Sequence, residues 1–385
     1  MQNKKKSGQQ SIKEANLKLV FSLICKEESL SRADIKKITK LSAATVSSLV
    51  EELIELGLII EVGTKEVTTS GRKAILLNVN PEGGYLAGVE ISAASIVLDL
   101  YNLRFEKVLH KEKQITGKGA LLSVLADFLK KEASPYKILG VAVGIPAMID
   151  STDNSVISST VVDIEKGVNF VKFLKSDFPG AEIDLCNTSG LIAYAEKEFG
   201  AGVGVQNIVS IEIADGVGAG VVIEGDIYSG TNGLACEFGH VSVDYKGPKC
   251  KCGNFGCLEM YVSVPAVLSE AEKQLDRKDM TLSDLKELLD NGNSVAKAVM
   301  DEAAKALAFG INNLVNIIDP EVIVICGKVC RFGEHLLSPL LKYRNALSLT
   351  DNTAEIKYSL LGDDAVTMGG AKYAFDKFFT RKKIF

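Results

Sequence analysis

Tryptophan is absent from this chain, and so is any long apolar run. No stretch of about 18 apolar residues without charges occurs, which argues against a transmembrane helix. The start, Met1 to Lys6, is basic, but no apolar segment follows it directly, so we predict a cytoplasmic protein rather than a secreted one. With 385 residues, 46% of them hydrophobic and 24% charged, the sequence is typical of a globular protein of two or three domains.

Disulfide bonds are not indicated either. The chain has eight cysteines, but a protein of this size does not need disulfides, and three of the cysteines lie close together near a histidine. His240, Cys250, Cys252 and Cys257 are the ligand types of a tetrahedral structural zinc site. The lysines and glycines between the cysteines suit a tight loop that brings thiolates onto one ion. We therefore predict a bound Zn²⁺; the alternative is a loop of unrelated free thiols.

Negative charge is in the minority only at the N-terminus. Residues 1–80 hold 13 Lys and Arg against 9 Asp and Glu, a net charge of +4. The whole chain has a net charge of −5, so residues 81–385 have −9. A basic first fifth on an acidic body favours an anionic partner for the N-terminal region alone, and nucleic acid is the usual one. The alternative is that the positive charge belongs to a solvated surface.

The N-terminal region has the pattern of two successive capped helices. Apolar residues at helical spacing over 12–28 predict a first helix. Ser31 then makes a good N-cap, because Asp34 stands three positions later as in a capping box. The helix that begins there would run from Arg32 to Ile38. A short turn, Thr39 to Leu41, separates it from the next helix.

Ser42 can cap that next helix, which we predict from Ala43 to Leu56. Two short helices joined by so tight a turn form a helix-turn-helix. The runs 58–62, 65–67 and 74–77 then predict a β-ribbon with a basic wing. We interpret residues 1–78 as a winged helix-turn-helix domain that binds double-stranded DNA. The alternative is a small helical protein-interaction module.

Small and hydroxyl-bearing side chains at the start of the second helix let a helix N-terminus enter a major groove and donate to phosphates. Cations in the wing would meet the DNA backbone or the minor groove. The candidate DNA-binding residues are Arg32, Ser42, Ala43, Ala44, Thr45, Ser47, Ser48, Arg72 and Lys73.

The rest of the chain alternates strand-like and helical segments. This alternation predicts an α/β fold with two sheets, enough for two lobes around a cleft. The predicted strands are 86–91, 96–101, 138–143, 208–213, 218–223 and 322–325, and the predicted helices include 119–131, 190–198, 264–275 and 294–317. A glycine turn, Asp215 to Gly220, lies between two of the strands. Its backbone amides could wrap a phosphate, but a plain hairpin is as consistent with the pattern.

Several of these motifs resemble the ROK family (repressors, open reading frames and sugar kinases). Glu237-Phe238-Gly239-His240 and the stretch from Cys250 to Glu259 are similar to the family signature and its zinc loop. The family usually has glycine where Cys236 stands. Asn316 to Val324 and the helix-turn-helix, which is similar to that of xylose-type repressors, extend the resemblance over the whole chain.

The resemblance implies a two-lobed actin-like ATPase (ribonuclease H-like) fold behind the winged helix, in a dimer or tetramer. The lobes would span 79–200 and 201–385, with the zinc loop in the second and the C-terminal helix packed back on the first. In family members that bind hexoses, an Asn, an Asp, two Glu and a His hold the sugar hydroxyls, and this His also bears on the zinc loop. All but the Asp carry over to this sequence, as Asn187, Glu237, His240 and Glu259.

Two departures from the family pattern argue against phosphoryl transfer. The family's catalytic Asp falls at Thr188, and threonine cannot serve as a base near neutral pH. The first phosphate loop of the kinases has two glycines, but here the corresponding Glu90 to Ser95 contains none. We therefore predict a sugar-responsive transcriptional repressor of carbohydrate metabolism, not an enzyme. The alternatives are an active ROK sugar kinase and a repressor without a sugar ligand.

Overall fold

The structure is a computed structural model, and it describes residues 8–27, 29–65, 74–115, 121–150, 152–347 and 354–381. The candidate wing residues Arg72 and Lys73 lie outside the described residues. The chain divides into two compact units. The first comprises Met1–Gly144, Val168–Leu185 and Gly370–Phe385, and the second comprises Ile145–Gly167 and Cys186–Gly369.

The first unit begins with a module of helices and a small sheet. Its helices are α1 (Gly8–Lys26), α2 (Arg32–Thr39) and α3 (Ala43–Glu55), and its strands are β1 (Leu30–Ser31), β2 (Ile59–Lys65) and β3 (Ala74–Val79). The three strands form one sheet in the order β1-β3-β2. The predicted helices are confirmed. The strand predicted over 58–62 continues to Lys65 as β2, whereas residues 66 and 67 of the next predicted strand lie outside the described residues, and β1 was not predicted.

Side-chain caps explain where the helices of this module begin. Ser31 Oγ accepts a hydrogen bond from the Asp34 amide at 3.2 Å, and the Asp34 carboxylate accepts one from the Ser31 amide at 3.1 Å. The predicted capping box is therefore confirmed. Ser42 Oγ likewise accepts from the Thr45 amide at 3.1 Å, which fixes the start of α3. Lys40, with φ of 58°, ends α2 in the left-handed conformation and redirects the chain into the turn.

The larger sheet of the first unit has five strands in the order β10-β7-β4-β5-β6. Its strands are β4 (Tyr85–Ile91), β5 (Ser95–Asn102), β6 (Lys107–Gln114), β7 (Ile138–Ile145) and β10 (Glu182–Asn187). Its helices are α4 (Leu121–Ala133), α5 (Phe170–Leu174) and the part of α12 (Ala365–Arg381) that follows Gly369. The side-chain amide of Asn80 donates to Gly57 O at 2.8 Å, and the Lys137 ammonium lies 3.5 Å from Leu56 O, so the end of α3 is joined to this sheet.

The second unit contains another five-stranded sheet, in the order β13-β12-β11-β14-β15. Its strands are β11 (Ile208–Ile213), β12 (Val217–Ile223), β13 (Asp226–Ile227), β14 (Val322–Cys326) and β15 (Glu355–Tyr358), and a separate pair is formed by β8 (Met148–Asp150) and β9 (Ser155–Ser158). Strand β11 pairs antiparallel with β12 and parallel with β14. The helices are α6 (Thr188–Phe199), α7 (Glu259–Val262), α8 (Val264–Leu275), α9 (Leu282–Asp290), α10 (Ser294–Ile318) and α11 (Glu334–Leu347).

Apolar residues alternate along β11, so its side chains point to the two faces of the second sheet in turn. Val209, Ile211 and Ile213 are fully buried in the main core together with the inner face of α10. The residues between them, Ser210 and Glu212, lie on the opposite face, which α6 covers: Ser210 Oγ donates to the carbonyl of Ser189 in α6 at 3.2 Å. The predicted α/β fold with two sheets is confirmed. Among the described residues, no helix is long and apolar enough to cross a membrane.

Candidate functional site

The four predicted metal ligands lie together on the second unit. The ligand atoms of His240, Cys250, Cys252 and Cys257 all lie within 4.8 Å of one another. His240 Nδ1 is 3.8 Å from the Cys250 sulfur, and the sulfurs of Cys252 and Cys257 are 3.6 Å apart. Ligands at roughly 2.0–2.3 Å from a tetrahedral zinc ion are separated by about 3.3–3.8 Å, so this set of donors fits such an ion.

The local protonation of these thiols differs with their surroundings. A hydrogen bond from the Asn254 backbone lowers the pKa of the exposed Cys252 thiol. Desolvation raises the pKa of the buried Cys257 thiol to about 12, with further contributions from the neighbouring thiols. A cluster with two buried thiols gains from a dication, because a metal ion stabilises the thiolate form that burial disfavours.

The loop that carries the thiols is held by a small number of backbone contacts. Isolated β-bridges join Ser242 to Cys257 and Lys249 to Phe255. Gly256 has φ of +61°, and a Cβ atom there would overlap the carbonyl of Asp244. Glycine is thus required for the close approach that brings Cys257 back beside His240. Gly253, the other glycine of the loop, has open space around it, and its φ of +95° is what favours glycine there.

Helix α6 begins at two residues singled out in the sequence. Asn187 is a predicted sugar-binding residue, and Thr188 stands where the family has its catalytic Asp. Asn187 is the N-cap: its Oδ1 accepts from the Ser189 amide at 2.9 Å, and its Nδ2 donates to Ala147 O at 3.0 Å. The Asn187 side chain is exposed, whereas Thr188 is buried. The amide is therefore oriented by two protein contacts while one face of it stays open to a ligand.

Glu259 lies beside the first residue of β12. Its Oε2 accepts from the Val217 amide at 3.2 Å, and its Oε1 is 3.5 Å from the ammonium of Lys251 in the thiol loop. A Cβ atom at Gly239, the neighbour of His240, would lie 2.4 Å from the carbonyl oxygen of the same Val217. The start of β12 therefore connects Glu259 with the His240 turn.

Glu237 precedes His240 in that turn. Its side chain is exposed and makes no hydrogen bond or ion pair with any residue that the structure describes. Cys236 just before it has φ of +73°, a conformation that favours glycine, the residue usual in the family at this position. The Cys236 thiol donates to Tyr228 O at 3.8 Å, and desolvation raises its pKa to about 11.

The glycine turn from Asp215 to Gly220 explains how the start of α6 comes close to β12. A Cβ atom at Gly218 would lie 2.7 Å from Ser189 Oγ, and one at Gly220 would overlap the Ser189 carbonyl. Helix α6 thus approaches β12 at a distance that only glycine permits, which places the Asn187 end of α6 close to the strand that also anchors Glu259. The turn is a hairpin between β11 and β12, the simpler of the two sequence interpretations.

Two charged features of the second sheet were not found from the sequence. Glu212 on β11 is half-buried, and desolvation raises the pKa of its carboxyl above the usual value. Lys328 forms an ion pair with Asp215, with its ammonium 2.8 Å from both carboxylate oxygens. Their sequence neighbourhoods are ordinary strand and turn patterns, so only the tertiary structure reveals them.

The candidate DNA-binding residues of α3 form one surface. Ser42, Ala43, Ala44 and Ser48 are exposed, and Thr45 and Ser47 are half-buried. Opposite this surface, the buried residues of α3 are Val46, Leu49, Val50 and Leu53. The guanidinium of Arg32 is 3.1 Å from the Glu61 carboxylate of β2. Exposed lysines at 36, 37 and 40 flank the turn before α3 and were not among the sequence candidates.

The turn that replaces the first phosphate loop is closed by a serine side chain. Ser92 Oγ accepts from the amides of Ala94 at 3.2 Å and Ser95 at 2.9 Å. The Ser92 amide donates to Ser95 O at 2.9 Å. The amides of Ser92, Ala94 and Ser95 are therefore paired within the turn itself, rather than left open to a phosphate.

Comparison with known proteins places this chain among ROK proteins. The sequence profile of the ROK family matches residues 86–377. The xylose repressor of Caldicellulosiruptor bescii is 30% identical over 380 residues, which cover 93% of this chain and 94% of that protein. The N-acetylglucosamine repressor of Escherichia coli O157:H7 is 27% identical over 354 residues, which cover 88% and 86% of the two chains.

Solved structures extend the similarity to the fold. A ROK family transcriptional regulator, a homolog of the E. coli MLC protein, matches with a TM-score of 0.84 and 24% identity over 96% of this chain and 97% of its own. The ROK hexokinase from Thermus thermophilus matches with a TM-score of 0.66 and 22% identity over 76% of this chain and 98% of its own. The body thus has the actin-like fold of ROK proteins, and this chain belongs to the ROK family.

Proposed function

We propose that this protein is a sugar-responsive transcriptional repressor of carbohydrate-metabolism genes. The observation that carries the proposal is the similarity to a xylose repressor over 93% of this chain, which spans the helix-turn-helix and the body together. The presence of both parts in one chain supports a protein that binds DNA at one end and senses a small molecule at the other.

DNA binding is assigned to α3 and its surroundings. The exposed small side chains from Ser42 to Ser48 allow the N-terminal turns of α3 to enter a major groove. The lysines of α2 and its C-cap, Lys36, Lys37 and Lys40, supply phosphate contacts beside it. Arg72 and Lys73 would add contacts from the wing, and Arg32 would reach a phosphate after exchanging its exposed Glu61 partner, a contact that costs little to break.

A sugar or sugar derivative is the proposed effector, bound by Asn187, Glu237, His240 and Glu259. The open amide of Asn187 and the carboxylates of Glu237 and Glu259 supply donors and acceptors for vicinal hydroxyls. Because His240 directs Nδ1 toward the thiols, its Nε2 is left to face a sugar oxygen. This geometry supports the dual role of His240.

Zinc is the metal that we propose for the His240 cluster. Three thiolates and one imidazole are the donors of closed structural zinc sites. The ion would lock the loop that carries Lys251, the ion-pair partner of Glu259, and so would position part of the sugar site indirectly. We infer no catalytic role for the metal, since all four ligand positions are filled by protein.

We infer that the body does not transfer phosphate. Thr188 offers no general base at the start of α6, and the Ser92 turn uses its own amides internally. Loss of a general base typically lowers a rate by about 100- to 10,000-fold. The direct test is sugar-dependent ADP release by the full-length protein. We expect none, and none after Thr188→Asp; measurable turnover with a hexose would favour the sugar-kinase alternative.

We propose that the protein acts as a homodimer or homotetramer, in which the sugar and the operator DNA bind different conformations. A sugar that binds one conformation of the body shifts the population away from the conformation that spaces two winged helices for an operator. The test is fluorescence anisotropy of a labelled duplex from upstream of the protein's own gene, titrated with protein and then with pentoses, hexoses and amino sugars. We expect tight, salt-sensitive binding that one sugar relieves.

Other outcomes of that titration separate the alternatives. DNA binding that no sugar alters would leave a repressor without a sugar ligand. Affinity that stays flat between 50 and 200 mM salt would contradict recognition through phosphates, because each neutralised phosphate releases counterions.

A further inference from the structure

One face of α10 is exposed and apolar near the C-terminal end of the helix. Phe309 is 42% exposed, and Ile317, two turns later, is 83% exposed, the largest fraction of any large apolar side chain in the described ranges. Asn313 lies midway between them and is also exposed. Residues four positions apart lie on the same side of a helix, so the three side chains form one row about 12 Å long. Single exposed apolar side chains are ordinary, whereas apolar side chains that share a face indicate a surface that another molecule covers.

Charge is absent from this part of the helix. From Ala306 to its last residue, Ile318, α10 carries no charged side chain. A solvated helix face usually carries charged residues such as Lys and Glu, which also favour a helix more than asparagine does. Here the polar positions are taken by Asn312, Asn313 and Asn316 instead. The composition of this face therefore favours contact with another neutral surface over contact with water or with a charged partner.

The row is complementary to a second copy of itself. In a symmetric dimer both chains use the same surface, and the contacts are repeated across a two-fold axis. If the axis passes through Asn313 and the two helices run antiparallel, Phe309 lies against the partner's Ile317. Asn313 then faces its own copy, and an amide can both donate to and accept from an identical amide, which a charged side chain cannot do. The Asn313 amide is available for this contact, because it makes no hydrogen bond with any residue that the structure describes.

The opposite side of α10 packs on the candidate effector site. A Cβ atom at Gly310 would lie 2.8 Å from Leu258 Cδ2 and 3.1 Å from Phe238 Cζ, so the helix sits tightly on both side chains. Leu258 directly precedes Glu259, and Phe238 directly follows Glu237. The turn of α10 that begins the exposed row is therefore in contact with the neighbours of two proposed sugar ligands.

We propose that the row of Phe309, Asn313 and Ile317 on α10 is the contact between two copies of this chain, related by a two-fold axis at Asn313. The inference deepens the proposed function and rests on it for the need of two copies, since an operator with two half-sites binds two winged helices. Each α10 then has the second copy on one side and the neighbours of Glu237 and Glu259 on the other. The effector and the second copy therefore act on the same helix.

The experiment is sedimentation velocity of the full-length, metal-loaded protein over a range of concentrations, without DNA or sugar. Asn313→Asp and Asn313→Lys each place like charges on the proposed axis, at a position that is exposed in the single chain. The control is Leu360→Asp. Leu360 is 77% exposed and follows Ser359, whose hydroxyl donates to Glu196 of α6, on the other face of the sheet from α10. Thermal unfolding confirms that each variant is folded.

We expect the unmodified protein and Leu360→Asp to associate with the same dissociation constant. Each Asn313 variant alone should raise that constant by about tenfold or more, because like charges are brought together at the contact. An equimolar mixture of Asn313→Asp and Asn313→Lys should associate again, since a carboxylate then faces an ammonium across the axis.

Three results would overturn the inference: an unmodified protein that stays monomeric at every concentration, unchanged association of either Asn313 variant, or a mixture that dissociates like the separate variants. None of these measurements involves DNA or sugar. If the unmodified protein and the variants associate as expected but the protein binds no operator, the proposed function fails and the contact through α10 stands.

Discussion

Lys18 of α1 forms an ion pair with Asp376 of α12, with 3.1 Å between the ammonium and the carboxylate. Next to this pair, the Phe21 ring stacks on Phe379 with centroids 5.0 Å apart and also contacts Phe375. The first helix of the DNA-binding module is therefore packed against the last helix of the chain. On the other side, Lys13 of α1 is paired with Glu52 of α3 at 3.1 Å, so α1 bridges α12 and the helix proposed to enter the groove.

Truncation of Phe379 should destabilise the first unit. Phe379 is 2% exposed, and Phe→Ala at such positions costs about 3–5 kcal/mol because a cavity is left behind. We expect a clear loss of free energy of unfolding in chemical denaturation and weaker operator binding. Phe173→Ala, at a ring that is 42% exposed, is the matched control and should change both quantities little. Equal effects of the two variants would contradict this role for the α1–α12 contact.

Two asparagines that cap helices allow an effect on stability to be distinguished from an effect on ligand binding. Asn187 caps α6 at the proposed site, and Asn293 caps α10 away from it by accepting from the Ala296 amide at 3.0 Å. Replacement of either by Ala should cost about 1 kcal/mol of stability. Only Asn187→Ala should also abolish sugar-induced release of DNA, measured by anisotropy. Normal release in Asn187→Ala would exclude Asn187 from the effector site.

Zinc content provides a test of the thiol cluster. We expect about one equivalent of zinc per chain by elemental analysis. Cys252→Ser should lower it strongly, while Cys25→Ala, on α1, should retain it. Chelation should also lower the melting temperature and weaken sugar binding, since the loop carries the Lys251 partner of Glu259. A melting temperature unchanged by a strong chelator would argue against a structural ion.

A negative charge on the exposed face of α3 should weaken DNA binding. Ser48→Glu places a carboxylate where we propose contact with the duplex, and we expect about a tenfold to hundredfold loss of affinity at 0.1 M salt. Ser22→Glu adds the same charge on an exposed position of α1 and should have little effect. If both variants bind the operator like the unmodified protein, α3 is not the recognition helix.

The pH dependence of stability should report on Glu212. Its folded-state pKa is raised by desolvation, so the folded state binds this proton more tightly than the unfolded state. The contribution is fully favourable below the unfolded pKa, near 4.5, and is lost as the pH rises through the folded value. Glu212→Gln should therefore melt at a higher temperature than the unmodified protein at pH 8, and the difference should vanish at pH 4. A constant difference across this range would contradict a raised pKa for the Glu212 carboxyl.

Local signals explain which features were predictable from the sequence. Ser31, Asp34 and Ser42 act through contacts with residues three positions away, so the sequence itself shows these caps. The metal cluster was visible because cysteines so close together are uncommon. Strand β1 is only two residues long and forms by pairing with β3, which no local pattern indicates. Glu212 was missed for a related reason: one Glu in an apolar strand has no distinctive spacing, and its lack of a partner is a tertiary property.

Phe21 and its ring partners Phe375 and Phe379 are about 350 residues apart in the sequence. A ribosome that has made α1, α2 and α3 must still add both sheets and most of the helices before these partners emerge. During synthesis the apolar ring of Phe21 therefore stays without these two contacts long after the helices around it have been made.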